Sequence, residues 1–218
     1  MSSLESKRAA EQPLTAKGRA TRARILEVAA EQMFARGASA TSIDDVKRAA
    51  KVSASQVGHY FGDKNALISA VINFQTEALL ASQQPLLDQM DSFTALQAWR
   101  DLMLAKQAAR NFESGCTIGS LASEMAERDP QLREELAAGF ARWREPLRAG
   151  LATMREQGKL VPEADPDVLS YALLAALEGG LLLGQTMRSP VPLVAALDTA
   201  LAHIRSLASA GTSPSPDQ

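Results

Sequence analysis

One cysteine, Cys116, and two histidines, His59 and His203, stand in a chain of 218 residues. A lone thiol excludes a disulfide framework and any multi-cysteine metal centre. Two histidines leave little for metal ligation or acid–base chemistry. No metal site, no cofactor and no catalytic residue is therefore expected. Aromatic residues amount to 5%, so the interior must be largely aliphatic; alanine and leucine dominate, which favours helices over strands. The segment 1–18 is polar and charged, without the apolar centre of a signal peptide. The longest apolar run, Val168 to Gly184, is short for a membrane span and contains Glu178. It reads as a buried helix of a cytoplasmic protein without a membrane partner. Common enzyme signatures are also missing: no Gly-x-Ser-x-Gly, His-Glu-x-x-His, P-loop or Gly-x-Gly-x-x-Gly is found.

What is present is unevenly distributed. Residues 1–64 hold eleven Lys and Arg against seven Asp and Glu, whereas 65–218 hold twelve against eighteen. A basic head on an acidic body fits a head that binds a polyanion. Hydrophobic residues make up 46% of the chain, enough for a sizeable core.

Periodicity predicts an all-α chain. After a loose arm over 1–16, Ile25, Leu26, Ala29, Ala30, Met33 and Phe34 mark one face of a first helix that stops at Gly37. Lys17, Arg19, Arg22 and Arg24 lie at its start, where the helix dipole disfavours cations; phosphate is the partner that would reward them. Thr41 or Ser42 can cap a short second helix with Ile43, Val46 and Ala50 inward. Ser53 can cap a short third helix ending at Phe61-Gly62. Asp63 can cap a fourth, starting at Lys64 and running to about Gln84. Two short helices joined by a tight turn form a helix-turn-helix unit. The third helix is left with a polar edge of Ser55, Gln56, His59 and Tyr60, free of acidic residues and suited to base edges and phosphates.

The run from Val52 to Leu67, with Thr41-Ser42-Ile43-Asp44-Asp45-Val46 before it, resembles the helix-turn-helix signature of the TetR family. It departs from that pattern at Gly58, where the family usually carries an aromatic residue. Cys116 to Glu124, Asp129-Pro130, Phe140-Ala141-Arg142-Trp143 and the run from Glu178 to Leu183 resemble the C-terminal domain of LmrA/YxaF-like repressors. The resemblance implies a helix-turn-helix domain over 17–64 and a helical ligand-binding and dimerisation domain over 65–209; the small, polar, proline-rich segment 210–218 reads as a disordered tail. It implies a homodimer, released from a pseudo-palindromic operator in double-stranded DNA by a small lipophilic or aromatic effector. An all-helical adaptor whose basic head binds protein, or an enzyme with an unrecognised site, is the alternative.

Particular residues carry this expectation. Lys17, Arg19, Arg22, Thr41, Ser42, Ser53, Ser55, Gln56, His59, Tyr60 and Lys64 are the DNA-binding candidates, with Gln56 suited to adenine and Thr41 and Ser42 acting first as caps. Scarce aromatics in the middle helices suggest a pocket wall of Trp99, Met103, Phe112, Phe140 and Trp143, with Cys116 a small buried filler rather than a redox sensor. Glu178, costly to bury alone, is expected to pair with an arginine such as Arg100 or Arg142, or to face a ligand. A Pro146 kink would open space for that ligand. A small-residue stripe, Ala172, Ala176, Gly180 and Gly184, and an apolar face with Leu193, Leu197, Leu201 and Ile204 are expected to pair across a two-fold axis; packing of the stripe within one chain is the alternative.

Overall fold

The computed structural model describes residues 14–209. Most of the expected arm, 1–13, and the expected tail, 210–218, lie outside them. Among the described residues every regular element is a helix, apart from one isolated bridge between Leu160 and Ala208. These residues fall into two compact units that divide between Leu67 and Ile68.

The first unit holds α1 (Ala16–Arg36), α2 (Ile43–Ala50), α3 (Ala54–Phe61) and the first turn of α4 (Lys64–Ala81). Helices of eight residues are marginal alone, so their ends matter. Ser42 with Asp45 closes a capping box on α2, and Ser53 with Gln56 closes one on α3. In each, the hydroxyl accepts a bond from an otherwise orphaned backbone N–H, and the third helical residue returns a bond to the cap. Thr15 caps α1 by accepting from the Gly18 N–H at 3.1 Å, so the helix begins at the end of the expected arm. Lys51 ends α2 in the left-handed region, at φ 53°, and makes the tight turn. Ile25, Ala29, Met33, Val46, Ala50, Val57 and Phe61 are buried together as expected, while Phe34 and Ile43 are only half-buried.

The second unit holds the rest of α4, a 3-10 turn (Leu86–Gln89), α5 (Phe93–Ala108), α6 (Thr117–Met125), α7 (Pro130–Glu156), α8 (Pro166–Met187) and α9 (Val191–Ser206). The fourth helix stops at Ala81, short of the expected Gln84, because Pro85 cannot continue a helix and restricts the residue before it. α7 and α8 start alike: an aspartate cap, Asp129 or Asp165, precedes a proline whose missing N–H costs nothing at that position. α7 runs without a break through Pro146. α8 packs on α7 and α9.

Close packing replaces the expected pairing across a two-fold axis at several positions. Leu197 and Leu201 are 0% and 2% exposed within the single chain, with Leu193 and Ile204 equally enclosed. That apolar face is therefore spent on the chain's own core, which corrects its assignment to a dimer contact. Gly180 and Gly184 are buried too. A Cβ on Gly180 would stand 2.8 Å from the Leu193 Cα, and one on Gly184 would stand 3.2 Å from the Ser189 carbonyl oxygen. Those glycines let α9 approach α8 inside one chain; Ala172 is exposed and Ala176 half-buried.

The tightest approach involves Gly150 on α7, where a Cβ would lie 2.2 Å from the Met90 carbonyl oxygen. Backbone there cannot yield as a flexible side chain does. Gly150→Ala is expected to cost about 1–3 kcal/mol, the usual range for overpacking, read as a lower urea midpoint. An unchanged midpoint would show that the helix and the 3-10 turn can part without cost.

Candidate nucleic-acid interface and cavity

On α3, Val57 and Phe61 point into the core, so the helix turns its other residues outward. Ala54, Ser55, Gln56, Gly58 and His59 are exposed, and Tyr60 is half-buried. The result is a polar helical face with no acidic group on it. His59 and Tyr60 meet edge to face at 5.1 Å between ring centroids. Arg22 of α1 lies over the Phe61 ring at 5.2 Å, which anchors its stem beside α3 and leaves its guanidinium a planar cation at the edge of the same face. Lys17 and Arg19 are exposed on the first turn of α1, where Arg19 donates to the Leu14 carbonyl at 2.6 Å.

Some candidates take other roles. Thr41 is 1% exposed, and its hydroxyl donates to the Gly37 carbonyl at 2.8 Å. Its side chain closes the turn after α1 and is out of reach of a phosphate. Ser42, not Thr41, caps α2. Gln56 is exposed, but its carbonyl oxygen already accepts the Ser53 N–H at 3.0 Å; only its amide NH2 stays available. Ser53 accepts from the Gln56 N–H at 3.1 Å. Lys64 bridges to the Ser39 carbonyl at 2.9 Å, so it ties the start of α4 to the loop before α2.

The second unit carries a partly open cavity of about 190 Å³. Met103, Cys116 and Trp143 line it, as expected. Trp99, Phe112, Phe140 and Glu178 lie outside its lining. Trp99 is fully buried behind it, Phe112 packs on Gly184, and Phe140 is a half-buried residue of α7. The remaining walls were not foreseen: Gln75, Gln83, Lys106, Gln107 and Arg110 supply polar groups, and Leu181 an apolar one. Gln83 is the organising residue. Its oxygen accepts both indole N–H groups, from Trp99 at 2.8 Å and from Trp143 at 3.0 Å. A second, open groove of about 590 Å³ runs beside Pro146, edged by Asp88, Asp91, Arg142 and Glu145.

Glu178 has a different partner from those expected. Arg100 pairs with Asp101 and Asp198, and Arg142 pairs with Glu77. The Glu178 carboxylate instead sits against Gly119, where an added Cβ would be 2.4 Å from its oxygen, and accepts the Cys116 thiol. Its other oxygen is buried without a hydrogen bond. Burial raises the Glu178 carboxyl above its ordinary 4.5, with the thiol's bond pulling the other way. Burial, joined by the Glu178 charge, also pushes the Cys116 thiol far above its usual range. Thiolate is the reactive form, so this environment disfavours oxidation of Cys116.

The elevated Glu178 carboxyl has a pH signature. The folded state binds its proton more tightly than the unfolded state does, so stability falls as pH rises from about 4.5 through the folded value. Glu178→Gln keeps an acceptor for the thiol and removes this slope. The variant is expected to gain in urea midpoint over the parent at pH 8 but little at pH 4.5. An offset equal at both values would mean the carboxylate is not penalised by burial.

Comparison with known proteins now bears on these two units. Residues 25–71 match the family model described as bacterial regulatory proteins of the tetR family, and residues 93–200 match the tetracyclin repressor-like C-terminal domain. Together they span most of the chain. The transcriptional regulator AcuR of Cereibacter sphaeroides is 25% identical over 171 residues, 78% of each chain. In fold, the chain resembles the crystal structure of a regulatory protein TetR from Rhodobacter sphaeroides, with TM-score 0.73, 23% identity and coverage of 84% of this chain and 98% of that one. It equally resembles a TetR transcriptional regulator from Chloroflexus aurantiacus, with TM-score 0.75, 24% identity and coverage of 89% and 98%. The chain belongs to the TetR family of transcriptional regulators, with an N-terminal DNA-binding helix-turn-helix domain and a larger helical C-terminal domain.

Proposed function

We propose that this chain is a cytoplasmic repressor that binds a pseudo-palindromic operator as a homodimer and leaves it when a small effector enters the 190 Å³ cavity. The functional division is the expected one: DNA binding over 17–64, effector binding and dimerisation over 65–209. The observation that carries the DNA role is the acid-free polar face of α3, exposed on a helix whose other face is core. Ser55, the Gln56 NH2, His59 and Tyr60 approach bases and phosphates; Lys17, Arg19 and Arg22 add backbone contacts. Ser42 and Ser53 contribute as caps that hold the two short helices, and Lys64 by tying α4 to the loop. Two such helices in successive major grooves would fit half-sites about 34–36 Å apart.

The proposed dimer contact keeps only Ala172 of the expected positions and otherwise uses a different surface of α8 and α9. Val168, Tyr171, Leu182, Leu183 and Met187 on α8, with Val191 at the start of α9, are each at least 51% exposed. Ala172 lies among them, as does Gly179, around which a Cβ would meet nothing. α8 has the length and apolarity of a membrane span, yet its inner face is packed on α7 and α9. TetR-family regulators act as dimers, and a strip of this kind is what a second copy would cover. The finer kinship with LmrA/YxaF-like repressors stays part of this reading; two of its four motifs, the Cys116–Glu124 segment and the Glu178 run, meet at Gly119.

A lipophilic part of the effector would rest on Met103, Trp143 and Leu181. Because binding of effector and of DNA are linked, the effector weakens DNA binding only as far as it prefers the released conformation.

Two measurements test this reading. In a gel shift on the gene's own upstream DNA, Gln56→Glu keeps the capping box, since glutamate serves at that position, but sets a negative charge on the DNA face. It is expected to weaken binding on the order of tenfold or more with an unchanged melting temperature. Parent binding should also fall steeply with salt as counterions are released; a flat salt response would favour a protein-binding head. In sedimentation, replacing Leu182 and Leu183 by glutamate should convert dimer to monomer, because the strip would then bury two unpaired charges. A dimer that survives the change would place the contact elsewhere.

A further inference from the structure

We infer that the effector is a small organic carboxylate, its charged end held between Lys106, Arg110 and the Gln107 amide. The inference rests on the proposed use of the cavity and names the chemistry it would select. Lys106, in the last turn of α5, and Arg110, in the turn that follows the helix, both line the cavity; no aspartate or glutamate does. Among the described residues neither forms an ion pair. Half-buried Lys106 donates to the neutral Ser82 carbonyl at 2.9 Å, and the guanidinium of Arg110, an exposed residue at the cavity's edge, has no hydrogen bond to the described residues. Like charges at this spacing repel. Burial first, and then the Arg110 charge, lower the Lys106 ammonium from its ordinary value; a bound anion would relieve both.

A second observation points the same way. Gln107 is 8% exposed and lines the cavity; its side-chain amide has no hydrogen bond to the described residues and is not among the enclosed unpartnered polar atoms, so its polar end opens onto the cavity and is available to a ligand. Gln83, by contrast, is fully engaged by the two indoles and the Leu79 carbonyl. Thr117, the first residue of α6, also lines the cavity and brings the positive end of that helix to it. The lining also holds Met103, Trp143 and Leu181, which would receive a short hydrocarbon part. A volume of about 190 Å³ lies below the roughly 300–1,000 Å³ of drug-sized sites, so the molecule is small. A planar carboxylate matches the guanidinium fork and can take the amide NH2 as well.

Calorimetric titration of the full-length protein with straight-chain carboxylates from acetate to hexanoate, beside the primary amides of the same lengths, tests the assignment. At least one acid should bind, and its amide should bind about tenfold more weakly or worse, the loss expected for a charge-assisted bond. Arg110→Gln and Lys106→Gln should each weaken the acid about tenfold and leave the amide unchanged. Arg110 has no protein partner to lose, so its variant keeps the test independent of folding. Ala78→Trp, on an exposed position of the lining, should block acid and amide alike. Equal affinity for acid and amide, no binding of any acid, or indifference to both charge variants would overturn the carboxylate assignment and leave the cavity as an effector site. Acid binding that survives Ala78→Trp would overturn the cavity itself.

Discussion

Two indole N–H groups converge on one amide oxygen, and the larger unit is arranged around that meeting. Trp99 comes from α5, Trp143 from α7, and Gln83 from the turn that follows α4. An indole buried without an acceptor forfeits a hydrogen bond it had in water. The two largest side chains of the unit can be interior only while Gln83 stands between them. That requirement fixes the end of α4 against two helices at once. It also fixes one wall of the cavity, since Trp143 and Gln83 both belong to its lining. The polar groups in this interior are therefore of two kinds: those satisfied by the fold, such as Gln83, and those left over, such as Gln107.

The smaller unit solves a different problem. Its second and third helices are too short to persist by propensity, so each carries a reciprocal cap and buries a narrow apolar face. Asp45 shows the cost-free side of this device: bonds from the Ser42 hydroxyl and N–H hold its carboxyl down to about 2, so the cap stays charged across the physiological range. Because caps and core consume the ends and the inner side of α3, what remains for a partner is a short polar strip. The helix is rigid for reasons that have nothing to do with DNA.

Periodic and capping signals made the helices legible. Gly37 and Ser53 marked ends correctly because cap chemistry is local. The inward and outward sides of α3 were equally readable, since Val57 and Phe61 sit one turn apart. Signals failed where the answer depends on which helices meet. Leu197 and Leu201 look the same whether a face is covered by its own chain or by a second copy. Thr41 and Ser42 are adjacent hydroxyls, and only the fold decides which caps and which is buried. Lys106 and Arg110 read as ordinary cations near a helix C-terminus, a placement the dipole favours anyway; that no carboxylate joins them is a tertiary fact. Glu178 was rightly marked as expensive to bury, but its thiol partner lies 62 positions away in sequence, between Cys116 and Glu178 themselves.

Gly58 sits in the middle of the outward strip of α3, and a side chain added there would encounter no atom of the protein within 4 Å. The fold places no demand on that position beyond tolerating a helix, which alanine and most larger residues do better than glycine. Operator preference could thus be retuned by exchange at one vacant spot, with the scaffold indifferent to the outcome. Regulators sharing this architecture could diverge in the DNA they read without first having to become less stable.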